Sequence, residues 1–115
     1  MTLKPVMITC DTDDALSLAG WWADQTGGKI VEENDGWFVV VQVPDSPSLA
    51  FQKVGDPTPG KNRLHLDLIA PDLDAEVARL VEAGAAVVEA REMPDFRWVT
   101  MTDPAGNEFC VASAH

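Results

Sequence analysis

The chain alternates short β-like runs with two helix-like runs, in an order that repeats once. Positions 5–10 read as a strand, with Val6, Ile8 and Cys10 on one face and Met7 and Thr9 on the other. Asp11 to Asp14 supply N-cap oxygens and negative charge for a helix start. Ala15, Leu18, Ala19, Trp22 and Ala23 then recur at helical spacing, and Gly27-Gly28 stops the run. Strands are predicted at 29–33, 37–43 and 49–54, with Asn34-Asp35-Gly36 as a hairpin turn. Positions 55–60 are polar and rich in Gly and Pro, and read as a linker.

After that linker the pattern restarts. A strand is predicted at 63–69. A helix capped by Asp72 follows, with Leu73, Val77, Leu80 and Val81 on one face, and Gly84 ends it. Strands at 85–90, 96–102 and 107–112 complete the second half, the last two joined by the turn residues Asp103 to Gly106. Gly27 before Lys29 to Glu32 corresponds to Gly84 before Ala86 to Glu89, and Ala50 to Lys53 corresponds to Glu108 to Val111. A consistent offset of half the chain indicates one unit used twice.

Strand parity sorts the side chains. One set is apolar: Val6, Ile8, Cys10; Val39, Val41, Val43; Leu49, Phe51; Leu64, Leu66, Leu68; Val99, Met101; Phe109, Val111. This set is expected under the helices. The other set is mixed: Met7, Thr9, Gln42, Gln52, His65, Asp67, Trp98, Thr100 and Cys110, with Ala50 and Ala112. The expected fold class is therefore α+β: two βαβββ modules, at 5–54 and 62–113 of a single domain 1–115, with one helix per module on the outer face. Their curved mixed sheets are expected to enclose a cleft lined by the second set.

Charge narrows the partners. With 8 Lys and Arg against 19 Asp and Glu the formal net charge is −11. A basic footprint for nucleic acid is missing, since the longest basic cluster is Lys61-Asn62-Arg63. Acidity keeps a protein soluble, and it also attracts cationic small molecules. No apolar run approaches the roughly 18 residues of a membrane span, and the segment 1–5 carries no charged-then-apolar signal. A cytoplasmic location without membrane contact is expected. Cys10 and Cys110 form no CxxC pair and fall on opposite faces, so no intrachain disulfide is expected.

The arrangement resembles the vicinal oxygen chelate superfamily, which includes glyoxalase I, bleomycin-resistance proteins and extradiol dioxygenases. The residues that carry the likeness are Asp11 to Trp22, Lys61 to Leu68, Leu80 to Ala85 and Trp98 to Cys110. The run Asp103-Pro104-Ala105-Gly106-Asn107-Glu108-Phe109 is the most specific of them. The likeness is strongest to a small glyoxalase-like branch. It implies a metal position built from the first and last strand of each module, which falls on Met7, Gln52, His65 and Cys110.

These four are a poor set for a catalytic ion: one imidazole, one thiol, one amide and one thioether, where His and carboxylate ligands are the rule. No cofactor is expected. If zinc, nickel or manganese binds, the donors are His65, Cys110 and Gln52. His65 is a candidate general base, because histidine side chains titrate near neutrality, or a cavity residue that hydrogen-bonds Asp67 or a ligand. Asp67 is a candidate to orient His65 or bind a cation. Trp98 is a candidate stacking surface. Cys110 reads as a small buried hydrophobe or a soft ligand. Trp21 and Trp22 read as core, and Trp37 as rim.

Three functions stay open. The first is small-molecule binding without catalysis, including sequestration of a cationic or aromatic compound as in bleomycin resistance. The second is a glyoxalase-type lyase or isomerase using His65 and Cys110. The third is a structural or regulatory homodimer.

Overall fold

The computed structural model describes residues 5–113. The first module contains β1 (Met7–Thr12), α1 (Ala15–Thr26), β2 (Lys29–Glu32), β3 (Phe38–Gln42) and β4 (Ser48–Lys53). The second contains β5 (Asp67–Ala70), α2 (Leu73–Glu82), β6 (Ala86–Met93), β7 (Phe96–Thr102) and β8 (Glu108–Ser113). The boundary between the two compact units lies between Thr58 and Pro59, inside the breaker-rich linker. Each unit is an open four-stranded mixed sheet. The strand orders are β1-β4-β3-β2 and β5-β8-β7-β6. In each, the first strand runs parallel to the last, and the other pairings are antiparallel. The fold is α+β with two βαβββ modules, as the periodicity predicts.

Local chemistry explains the element ends. The Asp14 carboxylate accepts from the Ser17 N–H at 3.2 Å and starts α1. Gly27, at φ 68°, ends it in the left-handed conformation. A Cβ on Gly28 would sit 2.7 Å from the Gln42 carbonyl oxygen, so the chain can pass β3 this closely only as glycine. Asp72 repeats the cap on α2, accepting from the Ala75 N–H at 3.2 Å.

The helix-facing parity set makes the cores. Val39, Val41, Leu49 and Phe51 are buried beneath α1, with Leu18 and Trp22 on the helix side. Met101, Phe109, Val111 and Val99 are buried in the second module with Leu73 and Leu80. Trp21 is half-buried and packs edge-on to Trp22, with ring centroids 4.9 Å apart. Arg97 pairs with Asp74 of α2 at 3.3 Å, and that carboxylate holds the guanidinium pKa above its ordinary value.

The structure corrects four expectations. Val6 and Ile8 are exposed, because α1 lies across β3 and β4 while β1 is an edge strand beyond its cover. Val81 is 47% exposed. It lies about 80° round the helix from Leu73, outside the stripe that Leu73, Val77 and Leu80 form. The strand expected at 63–69 begins only at Asp67. Leu64 is correspondingly 84% exposed rather than under a helix. The reason is Asn62, whose side-chain oxygen accepts from the Glu108 N–H at 2.7 Å while its amide nitrogen donates to the Glu108 carbonyl at 3.2 Å. The side-chain amide takes the place of a strand peptide, and the chain from 63 to 65 runs outside the sheet, which it rejoins at the Leu66 carbonyl.

Candidate functional site

The second module gathers most of the candidate residues. Across its sheet, Asp67 pairs with Cys110, Cys110 with Thr100, and Thr100 with Glu89. Residues in register across a sheet share a face. This row therefore lies opposite the buried Val99, Met101, Phe109 and Val111. The adjacent row is Ile69, Ala112, Trp98 and Arg91. Trp98 is half-buried, and its ring lies 5.4 Å from that of Phe96 at an interplanar angle of 34°.

His65 reaches this face from outside the ladder. Two contacts fix the segment that bears it. Asn62 donates to the Leu64 carbonyl as well as binding Glu108, and the Cys110 N–H donates to the Leu66 carbonyl at 2.9 Å. The imidazole Nε2 then lies 3.3 Å from the Asp67 carboxylate. The Cys110 Sγ lies 3.4 Å from the Thr100 hydroxyl. One ligand atom each from His65, Asp67 and Cys110 falls within a 4.8 Å spread. His65 and Asp67 are exposed, and Cys110 is half-buried. Neither Cys10 nor Cys110 is in a disulfide among the described residues. His115 lies outside the described residues.

The first module carries Met7, Thr9, Gln42 and Gln52, all exposed. Gln52 pairs with Asp11 and with Phe38, so Asp11 is its neighbour on the shared face. Met7 pairs with Ser48 instead. It stands four residues from Asp11 along β1, about 13 Å at a normal strand rise. Thr9 lies two residues before the partner of Gln52, as His65 lies two residues before the partner of Cys110. Register thus makes Thr9, not Met7, the counterpart of His65. Gln42 pairs with Lys29 and opens with it, Ser46 and Ser48 onto a shallow pocket of about 650 Å³ at the β3–β4 turn.

Sequence reasoning did not pick out Asp11, and it offered Asp67 for orienting His65 or binding a cation without placing it in the metal donor set. The signal for Asp67 was present as spacing, since residues i and i+2 of an extended segment point the same way. The signal for Asp11 needed the parallel register between β1 and β4.

Residues 7–112 match the glyoxalase-like domain family. The chain belongs to that family. No curated protein matches the sequence. Among solved structures, the fold is similar to a glyoxalase/bleomycin resistance protein/dioxygenase family enzyme from Burkholderia phytofirmans PsJN. That likeness has a TM-score of 0.83 and 16% identity, and covers 98% of this chain and 100% of the other. It is also similar to the fosfomycin resistance protein FosX from Listeria monocytogenes, at TM-score 0.81 and 12% identity over 100% and 96% of the two chains. A third similar structure is TnmS3, an antibiotic binding protein from Streptomyces sp. CB03234, at TM-score 0.72 and 21% identity over 99% and 98%. At these identities the likeness establishes the fold. No helix among the described residues is long and apolar enough to cross a membrane.

The four-residue metal position that the superfamily resemblance implies does not fit this glyoxalase-like chain. A thioether and an amide are weak partners for a divalent ion. The register moreover sets Met7 and Gln52 far apart along their sheet. The donors that do converge are His65, Asp67 and Cys110.

Proposed function

We propose that this glyoxalase-like protein binds a planar, cationic small molecule on the helix-free face of its second module. The observation that carries the reading is the Trp98 ring beside Phe96, one row from the Asp67, Cys110 and Thr100 row. Two aromatic rings, tilted 34° to each other, beside an exposed carboxylate suit an aromatic cation, which gains from stacking on one ring and from charge together. The net charge of −11 favours such a ligand at long range. A structurally similar antibiotic binding protein supports the ligand class.

Quenching of tryptophan fluorescence during titration with bleomycin tests the reading. Trp98→Ala is expected to weaken binding at least tenfold, and Trp37→Ala, on the other module, to leave it unchanged. Equal affinity in wild type and Trp98→Ala would sink the proposal.

We also infer a homodimer. Each sheet is open, and β6 is exposed at all eight of its positions along an unpaired edge. Sedimentation at micromolar concentration is expected to give twice the chain mass, and a monomer there contradicts the inference.

A further inference from the structure

The first module carries a concavity of its own, and its polar side chains have no partner in the chain. We infer that the pocket of about 650 Å³ at the β3–β4 turn binds a small zwitterion of the free amino-acid class, with its carboxylate beside Lys29 and its ammonium beside Asp45. The lining falls within residues 27–48, so the pocket shares no residue with the Trp98 face.

The local sequence builds the walls. A Cβ on Gly28 would meet the Gln42 carbonyl oxygen at 2.7 Å. Glycine there lets the α1–β2 turn close on the end of β3. That approach puts Lys29 in register with Gln42, on the same face of the sheet. The opposite wall is the turn between β3 and β4. Pro44 and Pro47 fix φ on either side of Asp45 and Ser46. Asp45 takes φ 56°, a left-handed conformation that Asp adopts more readily than most residues. The Ser46 N–H donates to the Val43 carbonyl at 3.3 Å. The wall is therefore held before any ligand arrives, which lowers the ordering cost of binding.

Charge then selects the ligand. Among the described residues, the side chains of Lys29, Gln42, Asp45, Ser46 and Ser48 make no hydrogen bond or ion pair. Other cations of the chain are engaged: Lys61, Arg79, Arg91 and Arg97 pair with carboxylates, and Lys53 lies over the Trp37 ring. Lys29 and Asp45 line one pocket without meeting as an ion pair. A lone anion there would face Asp45, and a lone cation would face Lys29. A zwitterion meets both, while the Gln42 amide and the two serine hydroxyls offer further donors and acceptors. It also carries no net charge, so the formal −11 of the chain does not repel it. Lys29, Gln42, Asp45 and Ser46 are exposed, so water screens these contacts and a millimolar affinity is expected.

The experiment titrates the full chain with L-alanine and follows the backbone amides by NMR. L-Alanine is the probe because each of its charges can be deleted in a simple compound: propionate keeps only the carboxylate, and ethylamine only the ammonium. Saturable shifts at Lys29, Gln42, Ser46 and Ser48 are expected with L-alanine at millimolar concentration. Propionate and ethylamine are each expected to bind at least threefold more weakly. Lys29→Met and Asp45→Asn are each expected to weaken L-alanine binding at least threefold, the scale of one exposed ion pair. Both positions are exposed, and Asn tolerates the left-handed conformation at residue 45, so these variants keep the fold, which circular dichroism checks. A response to L-alanine that does not saturate in wild type overturns the inference. So does propionate or ethylamine binding as tightly as L-alanine, because the pocket would then recognise a single charge. An unchanged affinity in Lys29→Met or Asp45→Asn overturns it as well. Bleomycin binding, lost in Trp98→Ala, reports separately on the ligand-binding reading of the second module.

Discussion

At the scale of single residues, two polar side chains hold the second module's loops. Asp103 is 5% exposed, and its Oδ1 accepts from the Ala105 and Asn107 N–H groups, each at 2.9 Å. Its other oxygen accepts from the Asn107 side-chain amide at 3.0 Å. Replacing it by Ala leaves those donors unmet and is expected to cost about 2–3 kcal/mol, read as a lower midpoint in urea. Asn62 works on the other side of the site. Asn62→Ala removes both bonds to the Glu108 backbone and is expected to cost about 1–2 kcal/mol. Its specific signature is at His65. The imidazole resonances in an NMR spectrum should broaden or shift while those of Trp22 stay put. Unchanged His65 signals would show that Asn62 does not position it.

At the scale of elements, both helices begin on the same device. Asp14 and Asp72 each accept from the N–H three residues on, at 3.2 Å in both cases. Asp14→Ala and Asp72→Ala are each expected to cost about 1 kcal/mol in chemical denaturation. The α1–β2 turn is less forgiving. Gly28→Ala forces a methyl group against the Gln42 carbonyl, which belongs to β3 and cannot rotate away. We expect a loss of about 1–3 kcal/mol, larger than at either cap, and a Gly28→Ala variant as stable as wild type would contradict that contact.

At the scale of the whole molecule, charge is the dominant property. A formal −11 over 115 residues produces a field that acts beyond any one contact. Binding of a cationic ligand should therefore weaken several-fold as salt is raised from about 0.05 M to about 0.5 M, where the screening length drops below about 5 Å. The change should appear mainly in the association rate. Affinity that is flat across that range would mean that the stacking rings, rather than charge, govern recognition.

The amino-acid sequence by itself determined the modules, because element type follows from local periodicity, and caps and breakers act within a few residues of themselves. Asp14, Gly27, Asp72 and Gly84 mark the helix ends without reference to anything distant. Parity likewise put Asp67, Trp98, Thr100 and Cys110 on one side of their strands, since alternation is a property of the extended chain. What parity cannot supply is register, the offset between strands distant in sequence. Only the tertiary structure pairs Gln52 with Asp11 rather than with a neighbour of Met7, and Cys110 with Asp67. Only it reveals that Asn62 borrows the hydrogen bonds of a strand and pushes Leu64 into solvent. The repeated unit was legible because it is local. The convergence of His65, Asp67 and Cys110 was not, because it depends on which residues of two distant strands come to lie side by side.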